Sequence, residues 1–277
     1  MEIRTTRISA RHPMARANAP DALIDATIHI KHGEQVAIIG PSGAGKTTLL
    51  NLLSCALIPT RGGLTLNGKD PWQLSRRDLQ TLRGQLYVAP QVPPLPPRQR
   101  VITAVLAGAL PTLNFLQSMA SLIYPKNIAG AHAALAKFDL SEKIFDRVDR
   151  LSGGERQRVG LARTLLSPSS MWLIDEPLSA LDPTRATQAI ETMTTEARQR
   201  NVSLVVTLHQ VEVALARFPR IIGLRDGVVA FDLPTAEVST EKLHQLYAQH
   251  EAELTGAAPI VDDAIIEPVT PVAMHCR

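Results

Sequence analysis

Apolar residues along this chain fall in short unbroken runs separated by stretches in which leucines and alanines recur at helical spacing. Ala37-Ile-Ile-Gly40 continues from Glu34-Gln-Val and stops at a glycine, and Lys46 to Ser54 then spaces its leucines as a helix does, so the segment predicts strand, loop and helix. Leu64-Thr-Leu-Asn-Gly68 alternates and closes on Asn-Gly, the signal of a hairpin in a small antiparallel layer. Gln85 to Ala89 predicts another strand. Pro93, Pro94, Pro96 and Pro97 end regular structure, and helical texture follows through Ala129 to Phe138, which predicts an inserted helical lobe. Met171 to Asp175 and Ser203 to Leu208 are continuous runs of the kind buried on both faces of a sheet. Strands alternating with helical stretches predict an α/β fold with a mainly parallel sheet. Ile221 to Phe231 predicts a strand pair turning at Asp226-Gly227. Periodicity fades beyond Tyr247, so residues 248–277 are expected to form a mobile tail.

Composition narrows the class. With 277 residues and 45% hydrophobic content the chain can bury a large core. Its net charge of +3 arises from 29 basic and 26 acidic residues scattered along the chain, which argues against a nucleic-acid partner. Cys55 and Cys276 have neither disulfide-framework nor zinc spacing, which fits a reducing cytosol. No apolar signal segment follows the charged N-terminal residues, so export is not expected. The uncharged stretch Val101 to Tyr124 is interrupted by Gly108 and Pro111 and carries several polar residues, so it predicts a buried or partner-facing segment and not a membrane span.

Gly40, Pro41, Ser42, Gly43, Ala44, Gly45, Lys46 and Thr47 match G-x-x-x-x-G-K-[ST] between a predicted strand and helix, with Thr48 next in line. Such a loop turns backbone N–H groups toward phosphate oxygens, and the helix that follows adds its positive end. Lys46 would neutralise β- and γ-phosphates, and the Thr47 hydroxyl would coordinate Mg²⁺. Asp175 and Glu176 end the apolar strand at the sheet edge where ligands sit: Asp175 is the candidate Mg²⁺ holder, and Glu176, expected to point the other way along the strand, the candidate to polarise an attacking water. Ser152, Gly153, Gly154 and Glu155 open a predicted helix, where a hydroxyl, bare amides and the helix dipole converge on an anion.

Taken with the phosphate loop, Leu151-Ser-Gly-Gly-Glu155 followed by Arg156-Gln-Arg-Val-Gly-Leu-Ala-Arg resembles the signature of ABC ATPases. The resemblance covers roughly Ile24 to Tyr247 and implies a P-loop NTPase core, about 1–91 and 160–247, with a small antiparallel β layer and a helical subdomain at about 92–159. It implies ATP and Mg²⁺ as ligands. It further implies that Ser152, Gly153, Gly154 and Glu155 complete the site on a second copy of the chain, head to tail. Gln91 corresponds to the Q-loop glutamine touching Mg²⁺ and water, Asp182 of Ser179-Ala-Leu-Asp182 to the D-loop residue linking both sites, and His209 to the switch histidine at the γ-phosphate. Thr207-Leu-His209-Gln-Val, Arg220 to Asp232 and Leu246-Tyr247 are similar to phosphonate-importer ATPases, which implies a separate transmembrane permease, a periplasmic or lipid-anchored solute-binding protein, and a peripheral place on the cytoplasmic face of the membrane.

One departure stands out: no aromatic residue precedes Trp72, although ABC ATPases stack adenine on one, so His12 or Arg16 is the candidate cover for the base. The run Val92-Pro-Pro-Leu-Pro-Pro-Arg98 is also unusual and is expected to reshape the contact with the membrane partner. Chromosome-organising and DNA-repair relatives separate the two motifs by long coiled coils, whereas no heptad run lies between Lys46 and Gly153; translation-factor relatives carry two tandem units, and each motif occurs once here. A subunit of a phosphonate-degrading complex is the remaining alternative.

Overall fold

The computed structural model describes residues 1–16, 18–112, 116–119 and 126–248. The expected tail, apart from its first residue, and part of the Val101 to Tyr124 stretch lie outside those residues. A six-stranded sheet forms the centre, ordered β10 (Val228–Pro234), β9 (Arg220–Arg225), β4 (Gln35–Ile39), β8 (Ser203–Leu208), β7 (Met171–Asp175) and β6 (Leu86–Ala89). Every pairing in it is parallel except β9 with β10, which turn on Asp226 and Gly227 at φ 50° and 78°. A second sheet is antiparallel: β1 (Ile3–Ala10) pairs with β2 (Leu23–Ala26), β3 (His29–Ile30) and β5 (Arg61–Leu66). Its β5 ends on Asn67 and Gly68, both with positive φ, as their Asn-Gly turn requires.

Strands β4, β7 and β8 are buried at every position, so alternate side chains feed two different apolar layers. Val36, Ile38, Leu173, Val205 and Ile222 face the antiparallel sheet and helix α1 (Lys46–Leu53). Ala37, Ile39, Trp172, Ile174, Val206 and Ile221 face the helices α3 (Val101–Leu106), α4 (Ile128–Ala136), α5 (Gly153–Leu165), α6 (Pro183–Gln199), α7 (Val211–Arg217) and α8 (Thr240–Leu246), while α2 (Arg76–Arg83) lies beside β6. The helical lobe therefore shares one continuous apolar layer with the sheet, through Val105, Leu135, Phe138 and Leu161. Among the described residues no helix is long and apolar enough to cross a membrane.

Local signals set the helix ends that matter for the site. Ser152 caps α5: its Oγ accepts from the Glu155 N–H, and the Glu155 carboxylate accepts from the Ser152 N–H, a reciprocal capping box. Asp182 caps α6, with Pro183 in the first helical position where a missing N–H costs nothing. The proline run after Gln91 is pinned down by backbone bonds from Val148 to Gln99 and from Asp149 to Pro97. It also rests on α5 at Gly160, where a Cβ would come within 2.7 Å of the Pro93 ring.

Candidate active site

Strand register explains why these residues meet. Ile39 is level with Leu208, Asp175 with Thr207, and Ala89 with Ile174, so the carboxyl ends of β4, β8, β7 and β6 form one edge. Gly40, His209 and Glu176 are the next residues out along that edge, and Gln91 lies two beyond Ala89.

At the β4 end the chain enters the phosphate loop. Gly40 has φ 153°, and a Cβ there would lie 2.0 Å from the Leu224 carbonyl oxygen, so only glycine allows the loop to leave β4 against β9. The Gly40 N–H donates to the Tyr247 hydroxyl at 3.1 Å. Lys46 is 5% exposed and its Nζ donates to the carbonyls of Gly40 at 2.8 Å and Pro41 at 3.2 Å, which holds the cation inside the curve of the loop. Ser42, Gly43 and Thr47 are exposed, Ala44 and Thr48 are buried, and nothing stands within 4 Å of a Cβ at Gly43. The loop thus presents a basic concavity with open approach at Gly43, the form a phosphate chain fits. Thr48, turned inward, can offer such a ligand only its backbone N–H.

The two carboxylates are held differently. Asp175, 8% exposed, accepts from the Thr207 hydroxyl at 2.6 Å. Glu176 does not continue the strand, as the sequence pattern suggests: β7 ends at Asp175, and Glu176 takes φ 43°, a left-handed conformation that redirects its side chain. There its Oε1 lies 2.6 Å from His209 Nε2, and its Oε2 accepts from Gln91 Nε2 at 2.9 Å. Burial pushes the Glu176 carboxyl up, but the hydrogen bond and charge of His209, joined by the charge of Lys46, outweigh it and hold the group below the usual carboxylate range. Electrostatics therefore couple the lysine of the phosphate loop to this carboxylate.

Ser152 and Gly153 are exposed at the start of α5, and Gly154 lets the chain pass its own Ala180, whose carbonyl oxygen would lie 2.8 Å from a Cβ. Within one chain the Glu155 carboxylate accepts from the Ser152 N–H and pairs with Lys143 at 3.2 Å. Asp182 Oδ1 accepts from the Arg185 N–H, so within one chain it is a helix cap. His12 and Arg16 are both exposed, and His12 Nδ1 accepts from the Met14 N–H at 3.2 Å. Three residues that the sequence analysis names only as parts of family-like stretches, with no role of their own, contribute here: Thr207, a hydroxyl in an apolar strand two residues before His209; Tyr247, an aromatic beyond the last strand; and Ser179, whose hydroxyl donates to the Glu176 carbonyl at 3.3 Å.

Residues 23–179 match the model of the ABC transporter family. The chain is 62% identical to "Phosphonates import ATP-binding protein PhnC 2" of Albidiferax ferrireducens over the whole of both chains. It is 61% identical over the whole of both to the protein named "Phosphonates import ATP-binding protein PhnC" of a Polaromonas species. Among solved structures, a dimeric post-hydrolysis state of the ATP-binding cassette MJ0796 bound to ADP and Pi superposes with a TM-score of 0.70 at 25% identity, covering 84% of this chain and 98% of that one. The cbiO1 subunit from Clostridium perfringens shares the fold with a TM-score of 0.70 at 20% identity, covering 89% of this chain and 94% of that one. On the family match and on its likeness to full-length relatives, the chain belongs to the ABC transporter family, as one of its ATP-binding subunits.

Proposed function

We propose that this chain hydrolyses ATP between two head-to-tail copies of itself and thereby drives uptake of a phosphonate or closely related oxyanion through a separate permease. One observation carries the catalytic half of this reading. Glu176 is ionised, redirected off its strand, and held at both oxygens by Gln91 and His209 at the edge where the phosphate loop opens. A carboxylate fixed in that way can orient a water and take its proton while Gln91 and His209 keep it aimed. Lys46 and the loop amides would neutralise charge on the transferred phosphoryl group.

The donor types fit a hard divalent cation: the Thr47 hydroxyl, the Asp175 carboxylate and the Gln91 amide each offer oxygen, and Asp175 is already oriented by Thr207. Mg²⁺ held by Thr47, Asp175 and Gln91 would offset phosphate charge. Ser152 and the amides of Gly153 and Gly154, exposed on the chain that presents them, would close over the γ-phosphate bound by the partner copy. The two closed sites make a clamp whose opening and closing is the mechanical output. A permease is the natural receiver, and a periplasmic or lipid-anchored protein would deliver the solute, which places the chain on the cytoplasmic face of the membrane.

The solute class rests on the names of the two relatives that align over their whole length. It is tested by assembling the chain with its permease and capture protein in vesicles and measuring ATP hydrolysis against added solute. Stimulation by alkylphosphonates well above that by phosphate or sulfate is expected. Stimulation by an unrelated solute alone would overturn the substrate class while leaving the ATPase reading intact.

A further inference from the structure

The hydroxyl of Thr207 bridges the two carboxylate-bearing residues. Thr207 is fully buried, on β8, level with Asp175 on β7. Its Oγ1 donates to Asp175 Oδ1 at 2.6 Å and accepts from the Glu176 N–H at 2.9 Å. The direction of both bonds follows from chemistry. An amide N–H only donates, so a lone pair of the hydroxyl goes to Glu176 and its single proton is left for Asp175. One rotor, with one orientation, therefore fixes the side chain of Asp175 and the backbone of Glu176 together.

The place of the bridge matters as much as its existence. The β7 ladder stops at Asp175, and the next residue adopts φ 43°, a conformation that non-glycine residues hold only when their surroundings impose it. The Thr207 bond to the Glu176 N–H is such an imposition, at the hinge between the two carboxylates. Among the described residues, the strand Ser203–Leu208 carries its other hydroxyls only at Ser203, at the opposite end, where that side chain bonds Met1 and Lys31 carbonyls. Packing alone does not ask for a hydroxyl at 207, since valine has the same shape and the neighbouring positions are valine and leucine.

We propose that Thr207 is a positioning residue for hydrolysis: its hydroxyl fixes the Asp175 carboxylate relative to the backbone that carries the Glu176 carboxylate, and so holds together the group that would hold the metal and the group that would take the proton. The inference rests on the roles proposed above for Asp175 and Glu176.

The test compares presence and absence of the hydroxyl at two sizes in the full-length chain, Thr against Thr207→Val and Thr207→Ser against Thr207→Ala, with Glu176→Gln as a control. The hydroxyl-free variants are expected to lose on the order of a hundredfold in kcat, the scale of a small misplacement of reacting groups, with KM for ATP little changed. Affinity for Mn²⁺, read by electron paramagnetic resonance with a non-hydrolysable ATP analogue, is expected to fall in the same two variants and to recover in Thr207→Ser. Should valine or alanine fold poorly, the remaining pair still carries the comparison. Equal kcat and equal Mn²⁺ affinity with and without the hydroxyl would overturn the proposal, as would a serine variant no better than alanine. A Glu176→Gln protein that still turns over would instead overturn the catalytic reading itself, so the two failures are distinguishable.

Discussion

Nε2 of His209 lies 2.6 Å from Oε1 of Glu176, joining the residues that follow two neighbouring parallel strands across the open edge of the sheet. The other oxygen of that carboxylate is held by Gln91. His209→Ala frees one oxygen to rotate, and the expected result is a kcat lower by on the order of a hundredfold with ATP affinity nearly intact. Glu176→Gln keeps the shape and removes the base, and should cost on the order of 10²–10⁴ in rate. Single-turnover hydrolysis with a parallel nucleotide titration checks both.

Tyr247 reaches from beyond α8 to the first glycine of the phosphate loop. Its hydroxyl is the acceptor for the buried Gly40 N–H, and Tyr247→Phe leaves that donor without it. A loss of about 1–3 kcal/mol is expected, the cost of an unsatisfied buried group. It should be visible as a lower melting temperature and as weaker ATP binding, measured by calorimetry.

Gly160 and Pro93 set where the segment after Gln91 lies. A methyl group at 160 would sit 2.7 Å from the Pro93 ring, so Gly160→Ala should displace the proline run and slow hydrolysis, although alanine favours helix by about 1 kcal/mol. Pro93→Ala in the same molecule removes the clash. A double-mutant cycle is expected to show rescue, and strict additivity would mean that the contact does not position the segment.

Glu196 joins the helical lobe to the core. It is buried on α6 and pairs with Lys137, just after α4, and with Arg200. Burial pushes its carboxyl up, but the two cations pull it below the ordinary value of 4.5. A group lowered on folding contributes stability that is present above its unfolded value and lost as pH falls through the folded one. Glu196→Gln should therefore cost stability near neutral pH and progressively less below pH 4.5. The expected difference is about 1–3 kcal/mol, reduced from that of a fully buried pair because the two cations are 43% and 40% exposed. Denaturant titrations of both proteins across that pH window provide the check.

Much of this was legible in the sequence because it is encoded locally. The glycine loop, the apolar strand before Asp175 and the serine-glycine cap at Ser152 each require particular residues in sequence, and the two Asn-Gly and Asp-Gly turns announce their own backbone. What the motifs do not reveal is the role of residues named only within such stretches, which depends on how distant segments pair. Thr207 matters only because β7 and β8 pair so as to put it level with Asp175, and Tyr247 only because the chain after α8 brings its hydroxyl to the Gly40 N–H. Strand alternation misdirected the reading of Glu176, since one left-handed residue cancels the period of two. At Glu155 a capping box and an anion site begin with the same serine and glycines, so the motif alone does not show the capping role.

The proposed clamp requires that nucleotide on one copy be gripped by Ser152, Gly153 and Gly154 of another. Sedimentation of Glu176→Gln protein with and without Mg²⁺ and ATP measures this directly, alone and combined with Gly153→Asp, which sets a carboxylate against the γ-phosphate. The single variant should become a dimer only when nucleotide is present, and the double variant should bind ATP yet stay a monomer. A single variant that remains monomeric at saturating ATP, or a double variant that dimerises just as well, would contradict the account.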